Sequence, residues 1–498
     1  MIARNLVANY FGQGWVALMG LAFVPWYVEL VGVESYALIG VMASIQAVSI
    51  VFDLGLSQSL NRELARLSVI NQYQKMANTA RTLEVIYWVM AIVVLLALVS
   101  ISEYLATQWL NPGSITGDTM QNILYMIAII IAIRWPISIY AGGFNGLQRQ
   151  VELNVWQVVF SSLQSIGALL VLIYIEATVI NYFIWQIIVV TIQVIVMKIR
   201  FWFLFDNLEI RKPVFEGRII KNILNFTAGI TGISIVSIIL MQADKIVLSK
   251  VLSLQDFGYY TLATVIASVV SRLVAPIMTV YYPKISSIVA LDDERLLSNK
   301  YHEGCQLMSI IVLPCAIGAL FYSNEILTLW IVNDVIVNEV VPIVVLLVIG
   351  NSLNGLATLP YILQLAYGWT SLALYTDLFL SMVIFPVMYM VAVNYGGVGA
   401  ALVWIGSGLL SIVITVIIMH RRLLKNQMNE WFIRDILYIL STIVIIFWLS
   451  SLVDRGGWNE YLELSMIIAT GIMAVIVGVL SSNQLRPKLI SMIRHVYA

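Results

Sequence analysis

Four ionisable side chains lie deep inside long apolar stretches of this 498-residue sequence: Asp53, Arg134, Asp244 and Arg272. A charged side chain at the centre of a membrane-spanning helix costs about 2.5–3.5 kcal/mol on insertion scales. Such a residue therefore faces a charged partner or a water-filled cavity. Asp377 and Lys245 are placed less deeply, because each lies closer to the end of its apolar stretch.

Asp53 and Arg272 each belong to a polar stripe on an otherwise apolar segment. At 100° per residue, the first stripe spans about 120° of helix circumference and consists of Gln46, Ser49, Asp53, Ser57 and Asn61. The second stripe consists of Thr261, Thr264, Ser268, Arg272 and Thr279. Two interpretations of these stripes remain open. In the first, they form polar contacts or a salt bridge that only assist packing. In the second, they line two walls of a water-filled cavity.

Arg134 lies in the stretch "AIIIAIRWPISIYAGG", directly before Trp135 and Pro136. Because proline removes a backbone hydrogen bond, we expect a kink here. The guanidinium group either packs against an acid such as Asp377 or binds a phosphate or carboxylate in bidentate fashion.

Asp244 and Lys245 are adjacent, and on a helix their side chains point about 100° apart. They therefore need not pair with each other. A coupling-ion or gate role is one interpretation of Asp244, and a solvated charge at a helix end is the other.

Composition indicates what must position these residues. The chain is 61% hydrophobic and 11% charged, whereas a soluble domain is about 25% charged. A membrane-spanning helix needs about 20 apolar residues. Fourteen segments qualify, at about 6–30, 37–60, 83–103, 120–144, 152–174, 178–199, 222–248, 257–283, 303–322, 340–365, 370–393, 398–419, 432–453 and 462–482. The sequence therefore predicts an all-α, polytopic membrane protein.

The distribution of basic residues predicts the orientation. With fourteen spans, all but five of the 27 Lys and Arg residues lie on the same side of the membrane as the N-terminus. The exceptions are Lys245, Lys250 and Arg455 on the other side, and Arg134 and Arg272 within spans. Since basic residues accumulate in cytoplasmic loops, both termini are predicted to be cytoplasmic.

An internal repeat organises the chain. "LVGVESYALIGVMASI" (30–45) matches "VLSLQDFGYYTLATVI" (251–266) in residue order, at a spacing of 221 positions. We expect an N-lobe of six spans (1–205), a cytoplasmic linker (206–221), a C-lobe of six spans (222–422), and two further spans with a tail (423–498). Repeats of this parallel kind are typical of alternating-access transporters, whose site lies between the halves.

The loops carry no catalytic signature. They contain no P-loop and no nucleophile elbow, and the longest connections are only about twenty residues. With three histidines, two cysteines and no CxxC, no metal site or cofactor is predicted. We therefore expect a transporter rather than an enzyme, driven by an ion gradient, the membrane potential or the substrate gradient.

Three motifs carry a family resemblance: "FDLGLSQSLNRELARL" (52–67), "QADKIVLSKVLSLQDFGYYTLA" (242–263) and "YYPKIS" (281–286). In a fourteen-span chain they resemble the Wzx-type O-antigen and capsule flippases of the multidrug/oligosaccharidyl-lipid/polysaccharide exporter superfamily. The resemblance implies a V-shaped fold of two lobes, like that of the MATE transporters, in the bacterial inner membrane. It also implies transfer of an undecaprenyl-pyrophosphate-linked oligosaccharide from the cytoplasmic to the outer leaflet.

The resemblance also implies roles for individual residues. Arg134 and Arg272 would hold the pyrophosphate or acidic sugars, and Arg62 and Arg66 would meet the headgroup at the cytoplasmic mouth. The complete set of predicted substrate-binding residues is Gln46, Asp53, Ser57, Asn61, Arg62, Arg66, Arg134 and Arg272. The predicted coupling or gate residues are Asp244, Lys245 and Asp377.

The expected partners are the lipid-linked glycan, membrane lipids, a polysaccharide polymerase with its chain-length regulator, and a proton or sodium gradient. We expect a monomer that binds no nucleic acid. The alternatives are a flippase for peptidoglycan precursors, a drug or cation antiporter of the same superfamily, and a membrane glycosyltransferase. The last would usually need a large hydrophilic loop with catalytic carboxylates.

Overall fold

The computed structural model describes residues 2–53, 55–111, 113–206, 210–219 and 236–497. The regular secondary structure of these residues is helical, and one isolated bridge between Asn111 and Ser253 is their only β pairing. The predicted all-α fold is confirmed. Two compact units are present, Met1–Gly258 and Tyr259–Ala498. The predicted division into lobes and a linker stays a prediction, and positions 207–209 and 220–235, which include most of the seventh predicted span, lie outside the described residues.

The first unit contains both long helices and shorter helical segments. A 3-10 turn at Ile50–Asp53 and a π-helical turn at Leu105–Trp109 interrupt the series. The described helices are α1 (Ile2–Ala22), α2 (Val24–Val31), α3 (Val33–Ser49), α4 (Leu56–Val69), α5 (Tyr73–Tyr104), α6 (Gly117–Arg134), α7 (Ile137–Gly146), α8 (Gln150–Tyr174), α9 (Val179–Phe203) and α10 (Ala243–Val251).

The second unit begins within a long helix that starts in the first. Two π-helical segments, Ile412–Val416 and Trp431–Leu437, interrupt its later helices. The described helices are α11 (Leu254–Val289), α12 (Glu294–Trp330), α13 (Asp334–Leu356), α14 (Thr358–Ala366), α15 (Thr370–Ser411), α16 (Ile417–Arg422), α17 (Met428–Glu430), α18 (Tyr438–Ser451), α19 (Glu460–Ser481) and α20 (Arg486–Tyr497).

Apolar side chains cover much of the outer surface of these helices. On α5, for example, Ile92, Val93 and Leu96 are 55–61% exposed. Exposed apolar residues in such number are unfavourable in water but suit the hydrocarbon of a bilayer. The chain is a multi-pass membrane protein.

Eleven helical stretches among the described residues are long and apolar enough to cross a membrane. One of them, Thr370–Arg422, has 53 residues and would be about 80 Å long if straight, far more than the roughly 30 Å of a bilayer core. Gly396, with φ 58° and ψ −143°, is non-helical and divides this stretch into two helices at a kink, between the predicted eleventh and twelfth spans. The count of fourteen spans stays a prediction.

Two of the predicted spans contain breaks. The prediction of one continuous helix over 37–60 is wrong, because α3 ends at Ser49 and α4 starts only after Gly55, whose φ of 70° is left-handed. The kink expected at Pro136 is confirmed, since α6 ends at Arg134 and α7 begins at Ile137. Both breaks lie beside predicted site residues.

The starts of the helices confirm the spacing of the predicted repeat. Three helices of the first half have counterparts that begin the same distance further along the chain. The paired first residues are Val33 and Leu254, Tyr73 and Glu294, and Ile137 and Thr358, each 221 positions apart. The break after α6 is thus repeated after α13.

Part of the predicted linker is bound along α5. The amide oxygen of Gln74 accepts from the backbone N–H of Arg211 at 2.7 Å, and Asn78 Oδ1 accepts from that of Val214 at 3.1 Å. Thr82 Oγ1 accepts from the N–H of Glu216 at 2.9 Å. These three side chains are spaced four residues apart, so they lie on one face of the helix and fix the segment 211–216 to the first unit.

Candidate functional site

Asp53 is held between two helices of the first unit. Ser57 Oγ, on α4, donates to Asp53 Oδ2 at 2.8 Å. The hydroxyl of Tyr87, a fully buried residue of α5, donates to Asp53 Oδ1. Both carboxylate oxygens are therefore engaged within the unit, which favours the packing interpretation of Asp53. Sequence reasoning did not identify Tyr87.

Two glycines bring α7 close to α4. A Cβ atom on Gly142 would lie 2.5 Å from the backbone oxygen of Ser57, and one on Gly146 would lie 2.6 Å from that of Asn61. This is the close approach that small residues at positions i and i+4 allow between membrane helices. The glycines thus determine where the predicted site residues Ser57 and Asn61 lie.

We expect Gly142→Ala to lower the melting temperature and impair function. The new methyl group would meet a backbone oxygen, which cannot rotate away, and overpacking of this kind costs about 1–3 kcal/mol. Gly406→Ala is the matched control, because a Cβ atom added there would have nothing within 4 Å and alanine is the better helix former by about 1 kcal/mol. Thermal denaturation of both purified variants measures the difference, and equal melting temperatures would contradict the close contact.

Arg134 donates hydrogen bonds to two neutral amides. Its Nη1 lies 3.0 Å from Gln46 Oε1, and its Nη2 lies 2.9 Å from Gln164 Oε1. Within the described part of the chain, no carboxylate forms an ion pair with it. The side chain is partly exposed. The structure therefore brings together the predicted residues Arg134 and Gln46 and leaves the positive charge without a counter-ion among the described side chains.

A further glutamine fixes the orientation of this group. The amide nitrogen of Gln164 donates to Gln193 Oε1 at 3.1 Å, and Gln193 is buried. With its nitrogen engaged there, Gln164 presents its oxygen to Arg134. Sequence reasoning missed both glutamines, although amides in the apolar segments of α8 and α9 were a visible signal.

Arg62 and Arg66 share one acid on the surface of α4. The guanidinium groups lie 3.2 and 2.7 Å from the carboxylate of Glu63, and the two arginine side chains are 53% and 61% exposed. Burial raises the pKa of Glu63, but the hydrogen bonds from Arg66 and Arg62 lower it by more, so the pKa lies below its ordinary value. Glu63 thus holds both arginines together on the surface of α4.

Asp244 and Lys245 pair with each other, contrary to the expectation that adjacent residues on a helix need not meet. Lys245 Nζ lies 3.3 Å from Asp244 Oδ1, and the backbone N–H of Lys245 donates to the same oxygen at 2.8 Å. Asp244 is only 2% exposed. Both residues lie at the start of α10, where the flexible lysine side chain curls back over the carboxylate.

In the second unit, Arg272 is exposed on α11. No described residue forms a hydrogen bond or ion pair with it. Thr264 and Ser268, from the same stripe, donate their hydroxyls to carbonyl oxygens of their own helix at 2.8 and 2.6 Å. Asp53 and Arg272 belong to different units, and a shared cavity between them stays a prediction. Asp377 lines a cavity of the second unit.

Two buried polar clusters were not predicted. In the first unit Glu84, 1% exposed, accepts from Tyr140 at 2.7 Å and Trp202 at 3.1 Å. In the second unit His302 Nδ1 lies 2.5 Å from Asp435 Oδ2. Both clusters connect helices that are distant in sequence, so they hold the bundle together.

Comparison with known proteins agrees with this architecture. The profile of a family described as "Polysaccharide biosynthesis protein" matches residues 2–289. A Shigella flexneri protein described as a candidate O-antigen transporter is 21% identical over 405 residues, which cover 81% of this chain and 94% of that protein.

Solved structures show the same fold at low sequence identity. The lipid II flippase MurJ, in an inward closed conformation, superposes with a TM-score of 0.69 at 16% identity, covering 96% of this chain and 98% of MurJ. An inward-facing multidrug resistance transporter of the MATE family superposes with a TM-score of 0.65 at 13% identity. The match covers 82% of this chain and 94% of the transporter. Because the family profile spans more than half of the chain, this protein belongs to the polysaccharide biosynthesis protein family, and it has the fold of the multidrug/oligosaccharidyl-lipid/polysaccharide exporter superfamily.

Proposed function

We propose that the protein is a flippase that moves an undecaprenyl-pyrophosphate-linked oligosaccharide repeat unit from the cytoplasmic to the outer leaflet of the bacterial inner membrane by alternating access. Family membership and the likeness to a candidate O-antigen transporter support the substrate class. The fold shared with a lipid II flippase supports the transport of a lipid-linked headgroup. The protein is then a transporter and not an enzyme.

The geometry of Arg134 carries this proposal. Its guanidinium group is positioned by two neutral amide oxygens, which orient it without cancelling its charge. A charged group in a membrane-spanning segment favours binding of an opposite charge, because leaving it unpaired in an apolar environment is costly. Two vicinal phosphates present the oxygen pairs that a guanidinium fork binds in bidentate fashion.

Other arginine side chains also contact the headgroup along its route. Arg62 and Arg66 meet the headgroup at the cytoplasmic mouth, and Arg272 supplies a second cation in the C-lobe. Gln46, Ser57 and Asn61 replace part of the water that the headgroup loses, since unreplaced hydrogen bonds would prevent its passage through hydrocarbon, and Asp53 holds the Ser57 hydroxyl in place. A proton or sodium gradient drives the cycle through Asp244 and Lys245.

Reconstitution tests the proposal directly. Purified protein in proteoliposomes is given a fluorescent undecaprenyl-pyrophosphate-linked trisaccharide, and the fraction that becomes accessible to a membrane-impermeant quencher is followed over time. We expect transbilayer movement well above that of protein-free vesicles. Movement at the protein-free rate, under every ion gradient and membrane potential applied, would overturn the function.

A peptidoglycan-precursor flippase is the second candidate, because MurJ is matched over almost its whole length. Lipid II in the same vesicles distinguishes the two. If lipid II moves and the trisaccharide substrate does not, the second candidate replaces the first. A fluorescent cationic drug in place of the lipid tests the antiporter alternative in the same way.

A further inference from the structure

The segment of residues 211–218 runs along the predicted cytoplasmic end of α5. Three of its backbone N–H groups donate to the side chains of Gln74, Asn78 and Thr82. As the numbers in the segment rise from 211 to 216, the positions of their partners on α5 rise from 74 to 82. The segment therefore approaches the bilayer along the helix that holds it.

The register of α5 gives the depth of this segment. Thr82 directly precedes the predicted third span, 83–103. At 1.5 Å per residue, Asn78 lies at most about 8 Å outside that span and Gln74 at most about 14 Å. The headgroup layer of each leaflet is about 5–8 Å thick. The part of the segment bound at Asn78 and Thr82 thus lies among the lipid headgroups, and the part bound at Gln74 lies just outside them.

Two adjacent apolar side chains of the segment are exposed. Val214 is 58% exposed and Phe215 is 51% exposed. In water this exposure is unfavourable, because apolar surface gains free energy when it leaves water. At the depth of the headgroups the same side chains can enter the boundary between headgroups and acyl chains, as the apolar residues of interfacial segments do.

Basic side chains flank the apolar pair on both sides. Arg211, Lys212 and Arg218 are all exposed. Glu216 is the one acid among residues 211–218, and its carboxylate accepts a hydrogen bond from the amide nitrogen of Asn78. Each Lys or Arg close to an anionic bilayer surface strengthens binding about fivefold. Apolar residues that insert and basic residues beside them are the combination that binds a peripheral segment to an anionic membrane.

We propose that residues 211–218 form an interfacial anchor that binds the anionic phospholipids of the cytoplasmic leaflet. Val214 and Phe215 insert between the headgroups, and the basic residues on either side contact the lipid phosphates. The segment is then held by α5 on one side and by the bilayer surface on the other. This inference goes beyond the proposed function, because it concerns the surrounding lipid and not the transported one.

A fluorescent label at position 214 tests the anchor. The label is attached to Val214→Cys after both native cysteines have been removed by Cys305→Ala and Cys315→Ala. The protein is placed in vesicles of phosphatidylcholine alone or of phosphatidylcholine mixed with phosphatidylglycerol, without any transported substrate. Acrylamide, an uncharged quencher, reports exposure to water, and brominated lipid reports insertion. We expect phosphatidylglycerol to lower acrylamide quenching at least about twofold and to raise quenching by brominated lipid.

Leu291→Cys is the matched label position. Leu291 is 70% exposed in a connection that is also predicted to be cytoplasmic. It precedes the acids Asp292, Asp293 and Glu294, which an anionic surface repels. Acrylamide should therefore quench a label at this position equally in the two kinds of vesicle.

Charge variants separate electrostatic attraction from apolar insertion. Arg211→Gln, Lys212→Gln and Arg218→Gln together remove the positive charges but keep the backbone N–H groups that bind α5. We expect this triple variant to lose the effect of phosphatidylglycerol on the label. Arg211→Lys with Arg218→Lys keeps the charges and should retain the effect. Equal melting temperatures establish that the variants fold alike.

Three results would overturn the anchor. One is equal quenching of the label at position 214 in both kinds of vesicle, and another is an undiminished effect of phosphatidylglycerol in the triple variant. The third is protection of the label in native membranes but in neither kind of pure lipid vesicle, which would assign the segment to a protein partner. None of these measurements involves transport, so their outcome is independent of the proposed function.

Discussion

Replacing Arg134 with alanine is expected to reduce transport of the lipid-linked glycan at least 100-fold while the protein still inserts and folds. The substitution removes a fork of charge-assisted hydrogen bonds, each worth about 1.5–3 kcal/mol. The amides of Gln46 and Gln164 that it leaves behind are neutral and remain able to bind water. Surface display of the glycan in cells and transbilayer movement in vesicles measure the effect.

Arg134→Lys separates charge from shape. Lysine keeps the positive charge but lacks the planar fork, so we expect intermediate activity. Arg272→Ala, measured in the same assays, tests the second cation. Full activity of Arg134→Ala at a normal protein level would remove Arg134 from the binding site.

Gln164→Glu provides a test with opposite expected effects on function and stability. A carboxylate would lie where the amide oxygen now lies, 2.9 Å from the Arg134 guanidinium group, and would neutralise it. We expect transport to fall at least tenfold while the melting temperature holds or rises, because the Arg134 charge gains a counter-ion. Gln193→Glu is the matched control, since its oxygen accepts from Gln164 and not from Arg134. Equal activity of the two variants would contradict a direct role of the Arg134 charge.

Asp435→Ala is expected to cause the largest loss of stability. Asp435 is fully buried and accepts from Gln306 at 2.9 Å beside its contact with His302. Removing one partner of a buried ion pair costs about 3–5 kcal/mol, which for a unit of this size corresponds to a fall of roughly 6–20 °C in melting temperature. Thermal denaturation of the purified protein in detergent measures it.

The cluster around Asp435 attaches the two helices that follow the repeat. Asp435 lies in the π-helical segment before α18, and Ser482, at the end of α19, donates to Gln306 of α12 at 2.5 Å. Asp435→Asn keeps the volume and one of the two acceptor oxygens, and we expect a smaller loss than for Asp435→Ala. A melting temperature of Asp435→Ala equal to that of wild type would show that this attachment lies elsewhere.

Some features followed from local pattern alone. Long apolar runs predicted the helical membrane fold, and Pro136 predicted the break after Arg134. The repeat of 221 positions, inferred from two weakly similar stretches, reappears in the first residues of three pairs of helices. These features depend on hydrophobicity and on backbone chemistry. Both act between residues that are close in sequence, so these features can be predicted from the sequence alone.

Other features required the packed structure. Helical periodicity placed Asp53 on one continuous stripe, but the left-handed Gly55 interrupts that helix, and Tyr87 of α5 binds the carboxylate. Periodicity also separated Asp244 from Lys245, whereas the flexibility of the lysine side chain lets them pair.

The sequence by itself determined that this protein is a multi-pass helical membrane protein with an internal repeat and with ionisable residues at membrane depth. Only the tertiary structure decided which of those residues have their hydrogen-bonding groups engaged by neighbouring side chains. Asp53 uses both oxygens within its unit, while Arg134 donates to neutral amides of α3 and α8 and has no acidic partner among the described side chains. The reason is physical: the identity of a partner depends on which helices pack together, and side chains about 30 to 130 positions apart meet only when they do.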